Sequence, residues 1–355
     1  MRHLVQLLGA LALVLACAGV PTADGPGGGA GGGSVNGPLQ GQVVLGSDGW
    51  VLDLGSGAFR RIPGLEAWDD NPQYLGVARV AAVPRPDGAE VLETVHSCMQ
   101  REGSHVTLSC VNSVRGGRVE PLLTLRGRLL GAARLSPDGR HIGWIRQYGS
   151  SASDMDLEIL TREGKLVSSS TIFHRSQPVS FDWLPDGRIV YALENAIHVA
   201  GPDLATHRVV RTFEDGAPVG VRVSPRGDRV LFLRVSSSNF AATRATVWTM
   251  APDGSGLARV VASKGEKDPV ITHLAWSPDA AWILLESGTV RGADSTNPGV
   301  AGKLFAVRAS DRDVVLGTDG RSRVIRSRGA MRRGREGELG ERFVSDGYLA
   351  WVPRL

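Results

Sequence analysis

Apolar and polar positions alternate in short runs along the body of this chain, and no stretch of it repeats every 3.6 residues as a helix would. The runs are punctuated by a recurring proline. Five segments align on it: "RPDGAEVLE" at Pro86, "SPDGRHIGW" at Pro137, "LPDGRIVYA" at Pro185, "SPRGDRVLF" at Pro225 and "SPDAAWILL" at Pro278. Five residues after each proline stands Val91, Ile142, Val190, Val230 or Ile283. In the last four copies the residue two before the proline is Leu135, Trp183, Val223 or Trp276, and the residue four before it is Ala133, Phe181, Val221 or Leu274. Period two marks a strand, and "SPDG" is turn chemistry: serine opens the turn, proline presets φ at the second position, and glycine suits the fourth. The repeating unit therefore begins strand, tight turn, strand.

Further strand-like runs follow each pair, such as "DLEILT", "AIHVAG" and "TVWTMA", and several lead through a turn into a fourth run such as "ARVVAS". Successive prolines lie 51, 48, 40 and 53 residues apart. Four-stranded units of that length predict an all-β, six-bladed β-propeller. The chain ends on "YLAWVPRL", whose "LAWVP" repeats the "LAWSP" at Leu274 to Pro278. The first strand-like runs, "QVVLG", "GWVLDL" and "AFRRIP", lack an innermost strand. One blade is thus assembled from both termini, with Pro353 as the sixth copy. This closure is expected to leave no free sheet edge, and hence a monomer.

The N-terminus has a different pattern. Residues 1–17, "MRHLVQLLGALALVLAC", place Arg2 and His3 before an apolar run too short to span a bilayer, the layout of a signal peptide. The ending Val14, Leu15, Ala16, Cys17 resembles the lipobox of bacterial lipoproteins, which makes Cys17 the expected lipidation site. An ordinary signal peptide with an incidental cysteine is the alternative. Residues 18–39 include "DGPGGGAGGGSVNG" and read as a flexible tether, with the folded body over 40–355. Ala18 after the cysteine suggests the outer membrane of a Gram-negative cell, facing the periplasm or the cell surface. Cys98 and Cys110 remain as a candidate disulfide in an oxidising compartment. A tight turn near Gly103 would set Cys110 opposite Val95, so the pairing is left open.

Turns of the form SPDG followed by a basic residue, in blades of this size, resemble the TolB-like or PD40 family of WD40-like propellers, over about residues 40–355. The resemblance implies a six-bladed propeller in the cell envelope that works through protein contacts. TolB carries an additional N-terminal α/β domain for which this chain has no room. Three copies depart from the motif: Arg226 and Gly227 reorder the turn, Ala280 replaces glycine, and the first copy lacks the serine.

Chemistry is sparse. The Gly-Ser-Gly triplets in "LGSGA" and "DGSGL" fall in turns and do not form the G-x-S-x-G elbow of a hydrolase. The histidines show no short metal spacing, although His273 beside Asp182 in a channel is conceivable. No catalytic residue, cofactor or metal is expected. A net charge of +4 is too small to imply nucleic acid. It is unevenly spread, however, with "RSRVIRSRGAMRRGRE" near the C-terminus. This stretch reads either as a solvated insertion or as an anion-binding rim centred on Arg328, Arg332, Arg333 and Arg335. The sequence thus points to a lipid-anchored, non-catalytic scaffold for an unidentified protein or anionic envelope component, docking on the face of the long second-to-third loops. The alternative is an enzyme or small-ligand receptor with its site in the channel.

Overall fold

The computed structural model describes residues 36–45, 50–62, 65, 78–83, 89–99, 108–126, 128–129, 132–147, 155–173, 180–235, 245–262, 270–290, 300–328, 339–340, 343–345 and 349–355. All regular structure among them is strand, arranged as six antiparallel blades and one short pair, Ser327–Arg328 with Leu339–Gly340. Blades II, IV and V run outward in chain order: Ala78–Val83 to Arg118–Arg126, Ser180–Trp183 to His207–Thr212, and Ala217–Val223 to Ala258–Val261. Blade III begins with two short pieces, Arg128–Leu129 and Arg134–Leu135, both paired to His141–Gln147, and ends with Leu166–Phe173. Blade VI runs from Val270–Trp276 to Arg323–Val324, and Phe343–Ser345 also pairs with its third strand, Val300–Arg308. In blade I the C-terminal strand Leu349–Val352 lies innermost against Gln42–Leu45, with Val43 opposite Trp351 and Val44 opposite Ala350. The two-termini closure is therefore as the sequence predicts.

There is no single core. Among the described residues apolar side chains collect in six clusters, one between each pair of successive blades, with a small seventh of Val95, Cys110 and Leu108 inside blade II. Leu231, Val247, Leu274 and Ile283 pack between blades V and VI, and Leu45, Leu52, Leu284 and Trp351 between VI and I. Alternation on a strand sends successive residues to opposite faces, so each blade supplies two neighbouring cores. Ring closure is what gives blades I and VI a second neighbour.

The proline turns show how the sequence dictates register. In blade III the Ser136 amide bonds the His141 carbonyl at 2.8 Å, and the Ser136 hydroxyl accepts the His141 amide at 2.9 Å while donating to Asp138 at 2.5 Å. Blade V repeats this with Ser224 and Asp228, and blade VI with Ser277 and Asp279. The serine hydroxyl fills the space of a wider loop. Blade IV has Leu184 there, which cannot, and its loop tightens by one residue: the Leu184 amide bonds the Arg188 carbonyl at 2.7 Å. In consequence Trp183 pairs with Ile189, whereas Val223 pairs with Val230 and Trp276 with Ile283. Alignment on proline groups Val190 with Val230 and Ile283, but Val190 faces the following blade and the others face the preceding one.

Two other expectations need correction. The body begins before residue 40: Leu39 is buried, and the Asn36 side chain donates to the Leu54 carbonyl at 2.9 Å and accepts the Arg326 amide at 2.9 Å. Nor does ring closure by itself abolish sheet edges, because the fourth strand of a blade has one side outside the blade's own ladder. The edge of blade V is covered by residues 313–314, through bonds such as Val314 amide to Val260 carbonyl at 2.8 Å. Blade I is met at its outer strand by Arg328, whose amide bonds the Gly57 carbonyl at 2.7 Å.

Candidate binding site at the channel mouth

The innermost strands of all six blades converge on a cavity of about 250 Å³ that opens at the end carrying the proline turns. Its apolar wall includes Ala81, Leu135, Trp183, Val223, Trp276 and Leu349, with Pro137, Pro185 and Pro225 at the lip. Position minus three of the repeat supplies the charged lining: Arg134, Asp182 and Arg222. Alternation alone places these residues, since each sits between two apolar neighbours directed into the inter-blade cores.

Their polar atoms are tied within the fold, those of Arg134 and Asp182 to adjacent blades. Arg134 meets Asp182 at 3.3 Å. Asp182 also accepts the amides of Trp183 at 3.0 Å and of Val223, in the next blade, at 2.9 Å. Arg222 donates to the Val221 carbonyl at 2.8 Å. The tryptophans brace blade to blade as well: Trp183 donates to the Arg134 carbonyl and Trp276 to the Arg222 carbonyl, each at 3.2 Å. Ser224 is held by Asp228 and the Arg229 amide. Each polar lining group thus bonds within the fold.

Around the mouth stand the exposed arginines of the turns, Arg140, Arg188, Arg226 and, from the sixth copy, Arg354. The turn aspartates remain ionised among them. The Arg188 guanidinium holds the Asp186 carboxyl below the usual carboxylate range. At Asp138 and Asp279 burial alone would push the carboxyl up, and the serine hydroxyl with the following amide outweighs it.

His273 and Asp182 are not brought together. His273 Nδ1 lies 2.6 Å from the fully buried Glu286, which also accepts Thr272 Oγ1 at 3.1 Å. His198 stacks on Tyr191 near His207, and burial, reinforced by the His207 charge, lowers its pKa. Among the described residues no group of three metal-ligating side chains converges. Ser56 and Ser255 donate to Asp53 and Asp253 at 2.7 and 2.6 Å, as turn formers do.

Of the arginine-rich stretch, the described first half is built into the fold. Arg321 pairs with Asp319 and donates to the carbonyls of Arg312 and Asp313, and Arg323 lies over the Trp282 ring. Arg328 is exposed and sits beside Ala58, at the end of blade I shared with the proline turns. Arg332, Arg333 and Arg335 lie outside the described residues, as do Cys17 and most second-to-third loops. Cys110 stands opposite Val95 and is disulfide-bonded, while the side chain of Cys98 lies outside the described residues.

Among solved structures, a TolB-type protein from Agrobacterium tumefaciens superposes with a TM-score of 0.51 at 14% identity, over 81% of this chain and 89% of that one. The body has the TolB-like propeller fold. A puromycin-hydrolyzing peptidase from Mycobacterium tuberculosis gives 0.48 at 14% identity, over 84% of this chain and 45% of that one. A protein of unknown function from Bacteroides caccae gives 0.46 at 12%, over 78% and 93%. No family model matches the chain, and no curated protein matches it.

Proposed function

We propose that this protein is an extracytoplasmic lipoprotein, anchored through Cys17, whose TolB-like propeller is a non-catalytic scaffold for an anionic protein or envelope component docking over the proline-turn mouth. One observation carries the reading. Asp182 and Ser224, the lining groups capable of acid–base or nucleophilic chemistry, are engaged by neighbouring backbone and side chains, while the rim presents Arg140, Arg188, Arg226 and Arg354 to solvent. The apolar leader, the glycine tether and the disulfide at Cys110 support an oxidising compartment and a membrane tie.

The test is capture of envelope extract on the full chain. Serine at the four rim arginines should leave melting unchanged and weaken capture, most at low salt where exposed charges are least screened. Serine at Arg332, Arg333 and Arg335 is the parallel arm for the long-loop face favoured by the sequence, Arg328 being left in place because it lies at the proline-turn end. Loss of capture in that arm alone would move the partner to the other face. Turnover of a hydrolase or lyase substrate panel that disappears in Asp182→Asn would instead make the channel an active site.

A further inference from the structure

The six blades do not contribute alike to the cavity at the channel mouth. At position minus three of the repeat, blades III, IV and V carry Arg134, Asp182 and Arg222, whereas blades VI and I carry Ala275 and Ala350, and blade II lines the cavity with Ala81 and Ala82. The charged blades are consecutive around the ring, and so are the alanine blades. One half of the wall is therefore charged and the other half is methyl. A methyl group leaves space that a long side chain would fill, which favours the alanine half for the body of a ligand, with Leu349, Trp276 and Trp351 beside it.

The charged half is not neutral. Two arginines stand against one aspartate, an excess of one positive charge over the lining. Arg134 faces Asp182 at 3.3 Å, so Arg222 supplies that excess. Between apolar walls such a charge draws an anion more strongly than it would in open water, and the exposed arginines around the mouth add to the same field. Volume then selects size. With about 30 Å³ for each water-sized atom, a cavity of about 250 Å³ holds about eight non-hydrogen atoms. That is too few for a nucleotide or a sugar chain, and lies below the roughly 300–1,000 Å³ of sites that enclose drug-sized ligands.

We propose that this cavity is a binding site for a small aliphatic monocarboxylate, its carboxylate on the Arg222 guanidinium and its chain along Ala275, Ala350 and Leu349. The planar guanidinium fork matches a carboxylate in geometry as well as in charge. One negative charge balances the lining. A second, at the far end of the chain, would lie buried against methyl groups without a partner, which excludes dicarboxylates. An uncharged chain of the same length would fill the alanine half and leave the excess charge unanswered. The inference goes beyond the docking reading, since it concerns the space below the rim and not what sits on it.

The experiment is titration of the full chain with sodium hexanoate, hexan-1-ol and adipate, read by calorimetry and by the indole N–H resonances. Hexanoate should bind one to one with a dissociation constant of about 1 mM or below, shifting the indoles of Trp183, Trp276 and Trp351. Hexan-1-ol and adipate should each bind at least about tenfold more weakly. Arg222→Met should lower hexanoate affinity at least about tenfold and erase its margin over the alcohol, while Arg222→Lys, which keeps the charge, should retain part of it. If Arg222→Met does not fold, the ranking of the three probes on the wild type decides alone. Serine at the four rim arginines should leave hexanoate affinity within about threefold, so that loss of partner capture and loss of hexanoate binding report separately. Absence of saturable binding up to about 20 mM hexanoate would overturn the proposal. So would equal affinity for hexanoate and hexan-1-ol, or binding that moves other indoles and not these three.

Discussion

The seam between blades VI and I and the run of blades III to V are the same architecture held by different means. In blades III to V each turn is held locally, a serine or aspartate bonding residues two to five positions away, and the ties to the next blade span 41 to 49 residues. At the seam the ties join the two ends of the chain, as far as 313 residues apart. Trp351 donates to the Gln40 carbonyl at 2.8 Å, the Leu355 amide bonds Gln42 at 2.9 Å, and the Ala89 amide bonds the Arg354 carbonyl at 2.9 Å. Asn36 then joins the Leu54 turn to Arg326. Local contacts make a hairpin, and only long-range ones make a ring. Because each inter-blade core needs both walls, the seam governs the whole.

The strongest way to break that contrast is to delete residues 348–355. The innermost strand of blade I is lost, and with it one wall of the cores between VI and I and between I and II. The expected outcome is loss of cooperative unfolding for the entire body by circular dichroism, out of proportion to eight residues.

Next in size is a cost carried by a regular blade and not by the seam. Burial pushes the Glu93 carboxyl up to about 7, and the Asn112 amide at 2.9 Å only partly offsets it. Its folded pKa lies above the ordinary 4.5, so the folded state binds the proton more tightly. The contribution is fully present below about pH 4.5 and falls by roughly 3 kcal/mol as pH rises through about 7. Glu93→Gln should flatten this dependence in denaturant melts and stabilise the protein above neutral pH.

Asn36→Ala probes the seam by a single side chain. It leaves the buried Leu54 carbonyl and the Arg326 amide without this partner, for an expected loss of about 2 kcal/mol in denaturant unfolding. The smallest effect is local: Ser277→Ala removes the hydroxyl between Asp279 and the Trp282 amide, for about 1 kcal/mol. Leu184→Ser, by contrast, should gain nothing, because the blade IV loop is already one residue shorter.

These differences explain what the sequence could reveal. Proline turns repeat, so fold, blade number and the use of "LAWVP" as a closing strand are legible from Pro86 to Pro353. The turn of Val190 to the opposite face is hidden, since its cause is the absence of one hydroxyl at Leu184 and not a change in pattern. Ala280 departs from the motif yet keeps the left-handed φ of 58° that glycine holds elsewhere. The clasp of Arg326 onto Asn36 leaves no pattern, because it joins one side chain to a backbone segment 290 residues away. At the channel mouth, Arg134, Asp182 and Arg222 are visible as a column at position minus three. Their ties across blades are not, since strand spacing says nothing about which blade a side chain leans toward.

The claim that one seam holds the whole ring is tested most directly by native-state amide exchange at the pairs Val43–Trp351 and Val44–Ala350, measured against Val190 and Tyr191 in the centre of blade IV. If closure and folding are one event, the seam amides exchange only by global unfolding, with the same free energy and the same denaturant slope as those of blade IV. Seam amides exchanging through a lower-energy opening while blade IV stays protected would mean that the ring can part without unfolding, and would contradict the account.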